Sequence, residues 1–252
     1  MGITMRIGKK FSTLLFFLIA LTLILIAGGI YIVKFGSNNS AFAKDLRQYI
    51  IRYPLIVNAI HLDQAGDLRF MYLSPQYKTI NTYVYYLKGY APSEELENWT
   101  GEMVQKTTEK SVSVEKRELS AKGIGEYSND DLKNLMKEFS DETTPNLNII
   151  YLTKYKDKPT SAGVVVQKDT IFIFKKRLYE LTDENETLKQ LERSTIMHEW
   201  GHLLGLEHSD NPKCIMSELV EVYEHPPLGT NIATDYCFET LQKLELIRQE
   251  LK

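Results

Sequence analysis

His198, Glu199, His202, Gly205 and His208 lie close together in the run His198-Glu199-Trp200-Gly201-His202-Leu203-Leu204-Gly205-Leu206-Glu207-His208. Residues four apart share one face of a helix, so His198 and His202 can turn their imidazoles toward a single ion. Gly205 permits a backbone turn that a residue with a Cβ resists, and that turn brings His208 round as a third nitrogen donor. Three neutral nitrogens with a fourth position left to water are the ligand set of a hydrolytic zinc ion. Glu199, next to the first ligand, is placed to act as general base on that water. The residues therefore predict one Zn²⁺, held by His198, His202 and His208.

The pattern HExxHxxGxxH resembles that of the metzincin metallopeptidases, and the resemblance continues downstream. Metzincins carry a methionine turn beneath the metal, and Met216 follows His208 closely here. Ser209 after the third histidine and Pro212 before the methionine are similar to the matrixin branch. Cys214-Ile215-Met216 is closer to adamalysins, and Cys-x-Met to archaemetzincins. Glu218 stands where astacins place a tyrosine. Archaemetzincins bind a second zinc through extra cysteines, and this chain has only Cys214 and Cys237, so a second cysteine-bound zinc is not expected. With no cysteine upstream, cysteine-switch latency of the matrixin kind is excluded. Met216 is expected to shape the floor under the metal without binding it.

A helix must carry the first two histidines, and it is expected to start near Asp183 to Glu186 and to end at Gly205. Upstream, Ile80–Leu87, Ser111–Glu118 and Asn148–Thr153 have strand composition. Ala162–Val166 and Thr170–Phe174 flank a turn at Gln167-Lys168-Asp169. A helix opens after Pro92 with Ser93 as N-cap, and its Leu96, Trp99, Met103 and Val104 belong to a core. A second runs from Ser128 to Phe139. Thr234 caps a final helix whose Phe238, Leu241, Leu244, Ile247 and Leu251 form one apolar stripe. The resemblance implies an α/β (α+β) zincin fold: a twisted mixed sheet with an antiparallel edge strand, an active-site helix and a C-terminal helix. Gly163, Val164 and Val165 would form the edge against which a peptide lies by strand addition; plain sheet core is the alternative. Ser217 to Ile232 would wall the pocket.

Phe11 to Val33 contains no charge, and about 20 apolar residues suffice to cross a bilayer as a helix. Lys9 and Lys10 precede it and Lys34 closes it. The chain thus divides into a short cytoplasmic tail (1–10), a transmembrane signal-anchor (11–33), a stalk and N-terminal extension (34–79), and a metzincin-like catalytic domain (80–252). The extension begins with the polar stretch Gly36–Ser40, and Lys44 to Tyr53 reads as a helix stopped by Pro54. Ala41-Phe42-Ala43 offers a small-x-small cleavage site, so a secreted enzyme released from a signal peptide stays open, although signal cores run about 7–15 residues. The flanking cations favour an exterior catalytic part. In that compartment Cys214 and Cys237 are expected to form a disulfide, with free buried thiols as the alternative.

The whole reads as a membrane-anchored, extracytoplasmic zinc endopeptidase acting on peptides or proteins. A terminal-trimming peptidase of archaemetzincin kind and a non-catalytic zinc-binding ectodomain are the alternatives. Net charge is −3, and the absence of a basic block argues against a nucleic-acid partner. The anchor flanks hold the basic clusters, so membrane association is expected from the span alone. His61 and His225 lack ligand-spaced partners, and Tyr223 is not at the astacin spacing.

Overall fold

The computed structural model describes residues 3–36, 40–120, 125–137, 139, 144–218, 220 and 232–251. They form two compact units, residues 1–62 and 63–252.

In the first unit, α1 (Ile3–Phe35) runs through the apolar stretch without a break, so most of the expected tail is already helical. Its segment Thr13–Phe35 has a mean hydropathy of 2.7 and is long and apolar enough to cross a membrane. Two short helices follow, α2 (Ala41–Ile50) and α3 (Pro54–Ala59). Ser40 caps α2 by accepting from the Ala43 N–H at 3.4 Å. Pro54 occupies the first turn of α3 instead of merely stopping the helix before it, because its fixed φ suits a position whose N–H has no partner. Arg47 donates to the Val33 carbonyl near the end of α1 at 2.8 Å.

The second unit begins at Asp63, earlier than the expected boundary at residue 80. The helix α4 (Arg69–Leu73) explains the difference. Its Tyr72 is fully buried, donates to the Asn146 carbonyl at 2.7 Å, and packs its ring 5.0 Å from Trp200. Lys110 reaches back to the Ser74 and Tyr77 carbonyls at 2.5 and 2.6 Å. Residues 63–79 are therefore part of the body.

That body is built on a five-stranded sheet in the order β2-β1-β3-β5-β4. Strands β1 (Thr79–Tyr86), β2 (Ser111–Glu118), β3 (Asn146–Leu152) and β5 (Thr170–Phe174) are parallel, while β4 (Gly163–Gln167) pairs antiparallel along the outside of β5. A register shift between Val165 and Gln167 bends β4 before the turn. Crossovers between parallel strands need long connections, and α5 (Leu96–Thr108) supplies the one between β1 and β2. The helix α6 (Asn129–Met136) starts from a capping box in which Ser128 and Asp131 satisfy each other's backbone N–H groups. Its Leu132 and Met136 join Tyr85, Ile150, Phe172 and Phe174 in one buried cluster. α7 (Lys175–Leu181) follows β5, and α8 (Asn185–Leu203) packs against β4 and β5.

Two expected caps are displaced, each for a visible reason. α5 begins at Leu96, with Glu95 in the left-handed region at φ 64°. Ser93 is engaged elsewhere: its N–H donates to Glu192 at 3.2 Å and its hydroxyl meets Lys175 at 3.4 Å. Lys175 and Glu192 form a buried ion pair that ties the start of α7 to α8. The final helix α9 (Phe238–Glu250) begins behind Cys237, not Thr234. Cys237 is fixed by a disulfide to Cys214, with the two Cα atoms 5.3 Å apart. Thr240 and Leu244 are buried along α9 and Leu251 just after it, whereas Phe238 is 73% exposed. The helix is thus rotated from the all-apolar stripe, and Arg248 on the inward side donates to the Thr107 carbonyl at 2.8 Å.

Asp169, in the β4–β5 turn, is 5% exposed, and burial pushes its carboxyl above the usual value of 3.8, partly offset by the Thr170 hydroxyl and Lys168. The folded state then binds more protons than the unfolded chain just above pH 3.8, so this group's contribution is fully present below that pH and lost as pH rises through the raised folded value. Asp169→Asn should therefore be more stable than the parent at pH 7 and equal to it near pH 3. Denaturant titrations with the metal chelated throughout check this; a gap that did not change with pH would refute it.

Candidate metal centre

α8 delivers the first part of the site. Leu191, Ile196, Met197, Trp200 and Leu203 are buried along it, and the Trp200 indole donates to Thr107 of α5 at 2.8 Å. With that side locked, His198 and His202 stand one turn apart, ring centroids 4.8 Å from each other. The helix ends at Gly205, whose φ of +86° is the left-handed conformation that favours glycine. Gly205 N–H bonds the His202 carbonyl at 3.0 Å, and Leu206 N–H bonds the Gly201 carbonyl at 2.9 Å. These are the paired bonds of a Schellman ending. A Cβ on Gly205 would also lie 2.7 Å from the Arg69 side chain.

The reversed chain carries His208 back to the helix. Its ring centroid lies 5.3 Å from that of His198 and 4.8 Å from that of His202. One ligand atom from each histidine lies within 4.8 Å of the others. The chain then closes on itself, as Ser209 N–H donates to the Met216 carbonyl at 2.7 Å. That loop puts Met216, fully buried, directly against Gly201 of α8.

The donor chemistry fits a cation. His198 Nδ1 lies 2.7 Å from the Ile215 carbonyl and His202 Nδ1 lies 3.1 Å from that of Leu206. A carbonyl only accepts, so both Nδ1 atoms must carry the proton, and in the neutral rings both Nε2 atoms present lone pairs. Those two Nε2 atoms are 3.1 Å apart. Tetrahedral zinc with bonds of about 2.0–2.1 Å sets its donors at close to this spacing. His208 Nδ1 has a carboxylate neighbour, Glu218, at 3.4 Å. His198 is buried while the other two histidines are half-buried, so the group is enclosed on the helix side. Among the described residues the cluster contains these three ligands, matching the three-ligand sets that leave a position for water.

Glu199 is 3% exposed and lies against the edge strand. A Cβ on Gly163 would sit 3.2 Å from its Cγ, 3.3 Å from Oε1, and 2.5 Å from Thr195 Cγ2. Gly163 of β4 therefore makes room for the carboxylate. Val164 and Val165 are half-buried, paired with Phe172 and Ile171, so part of each side chain remains outside the core. Tyr223, His225 and most of the expected pocket wall lie outside the described residues.

Several supporting residues were not anticipated. Gly201 is one, since a Cβ there would overlap the Met216 sulfur and come within 3.3 Å of the Tyr236 hydroxyl. A glycine inside a helix is itself a signal of close packing. Tyr236 donates to the Met197 carbonyl at 3.0 Å, the residue before the first ligand. Glu218 was noted only as the absence of a tyrosine. The carbonyls of Leu206 and Ile215 leave no mark in side-chain sequence.

Residues 153–235 match the family model of the matrixin peptidases. An archaemetzincin from Pyrococcus abyssi is 38% identical over 63 residues, 25% of this chain and 31% of that protein. One from Pyrococcus horikoshii is 31% identical over 84 residues, 33% of this chain and 42% of that protein. The chain thus aligns with less than half the length of these relatives. Among solved structures, the archaemetzincin of Methanopyrus kandleri superposes with a TM-score of 0.52 at 19% identity, covering 71% of this chain and 99% of that one. The mixed α/β fold is similar to that of the archaemetzincin, and the segment around the histidines is similar to matrixin peptidases and to archaemetzincins.

Removing one nitrogen should empty the site. His202→Ala is expected to purify folded and with well under one zinc per chain, because two imidazoles hold the ion weakly. Elemental analysis that still found a full equivalent would refute the ligand set.

Proposed function

We propose that this chain is a membrane-anchored zinc endopeptidase whose catalytic part lies outside the cytoplasm. One observation carries the chemistry: two outward ring nitrogens donate to carbonyls, so the opposing Nε2 atoms converge to 3.1 Å as acceptors, beside a buried glutamate. A zinc ion bound by His198, His202 and His208 would polarise the scissile carbonyl and lower the pKa of its water toward ~7. Glu199 would act as the general base, accepting a proton on a carboxylate oxygen and delivering it to the leaving amine. The Ile215 and Leu206 carbonyls keep the imidazoles in the tautomer that binds metal. The β4 backbone, beginning at Gly163 beside Glu199, offers a peptide an extended edge to pair with. Met216 supports the ligands from below.

The anchor reading rests on α1. From Leu14 to Ile26 its large apolar side chains are about half to two-thirds exposed, which water penalises and a bilayer does not. The Cys214–Cys237 bond suits an oxidising exterior. Carbonate extraction of membranes should leave the full chain in the pellet; a mature N-terminus just after Ala43 would show a cleaved signal instead.

A second reading is favoured by the similarity to archaemetzincins: a peptidase that trims termini. Internally quenched peptides against free-amino peptides separate the two, and faster turnover of the free-amino set would replace the endopeptidase reading. Glu199→Gln is expected to keep the zinc and lose activity by about 10²–10⁴-fold. Parent-like turnover in that variant would remove Glu199 from the role of base.

A further inference from the structure

Between Lys34 and Leu62 the chain carries four Lys or Arg and one acid, Asp45, whereas residues 63–252 hold 23 basic against 32 acidic groups. This positive segment also displays rings and aliphatic chains in an ordered way. Phe42, Tyr49, Tyr53 and Ile56 are exposed and follow one another at spacings of seven, four and three along α2 and into α3. The Tyr49 and Tyr53 rings lie 5.6 Å apart, tilted by 57°. Leu55, in α3, is 86% exposed. Soluble surfaces seldom gather apolar groups this way without a partner.

The position of α2 and α3 relative to α1 identifies the partner. Arg47 of α2 binds the Val33 carbonyl at 2.8 Å, and Lys34 of α1 binds the Ile60 carbonyl just after α3 at 3.3 Å. The patch is thus tethered to the last turn of α1, where Tyr31 and Phe35 are also exposed. If α1 spans a bilayer, that turn lies at the headgroup level, where aromatic rings and cations concentrate. We infer that α2 and α3 form a collar seated in the headgroup layer of an anionic phospholipid membrane, with Phe42, Tyr49, Leu55 and Ile56 dipping below it and Arg52 on the headgroups. The inference rests on α1 being a membrane span. Membrane contact then comes from an amphipathic surface as well as from the span.

The test uses the full chain in vesicles of phosphatidylcholine with or without phosphatidylglycerol. Single cysteines replace Leu23, Phe42, Leu55 or Lys189 and carry a nitroxide; the native cysteines, being bonded, stay unlabelled. Collision with oxygen relative to a water-soluble nickel complex should be several-fold higher at 42 and 55 than at 189. It should rise further with phosphatidylglycerol and be highest at 23. Labels at 42 and 55 that behave like 189, while 23 stays in lipid, would overturn the collar and leave the span intact. Shielding of 42 and 55 from both reagents would indicate a protein partner and overturn it too. A label at 23 in water would remove the span itself. Indifference to phosphatidylglycerol would overturn the choice of an anionic surface.

Discussion

Two imidazole nitrogens with lone pairs facing each other at 3.1 Å repel unless something positive lies between them. The body of the protein is organised around holding that arrangement. Each ring is turned by a main-chain carbonyl, one from the residue before Met216 and one from the residue after Gly205. Carbonyls are the right choice for this task, because they cannot donate and therefore dictate the tautomer. The loop from 206 to 216 thus does more than carry His208: it supplies the acceptors that orient the other two imidazoles.

Such close packing needs places where the chain is thin. Gly163, Gly201 and Gly205 each sit where a Cβ would strike a site residue or its support. Gly163 admits Glu199 next to the edge strand, Gly201 admits Met216 and the Tyr236 hydroxyl, and Gly205 combines a left-handed turn with contact to Arg69. A mid-helix glycine costs roughly 0.5–1 kcal/mol relative to alanine, so Gly201 weakens α8 to let the floor come close. The buried contact between Trp200 and Tyr72 on the neighbouring face of the helix offsets this.

Much of this was legible from residue types. Strands β1, β2, β3 and β5 were found to within two residues at each end, because β-branched and aromatic runs bounded by polar turns report sheet directly. That His198, His202 and His208 come together was readable, because a helical spacing of four and a glycine turn fix where the three rings go. Positions decided by tertiary competition were not readable. Ser93 looks like a cap, yet Glu192 and Lys175, 99 and 82 residues away, claim it. Thr234 looks like a cap, yet the helix starts behind Cys237. The stripe on α9 held at Leu244, Ile247 and Leu251 but not at Phe238 and Leu241, because Thr240 and Arg248 face inward beside it. The boundary at residue 80 failed because the short helix α4 carries no periodic signal, although its Tyr72 lies deep in the core.

The bond between Cys214 and Cys237 joins positions 23 residues apart, with Met216 and Tyr236 both inside the span it closes. In topological terms, residues 214–237 are a ring with a single point of entry and exit. A ring cut once becomes two arms still joined at that point. One peptide break between Ser217 and Asp235 would leave α9 covalently attached to the loop that carries Met216. The stretch expected to contact substrate can therefore be opened without releasing the parts that hold the histidines.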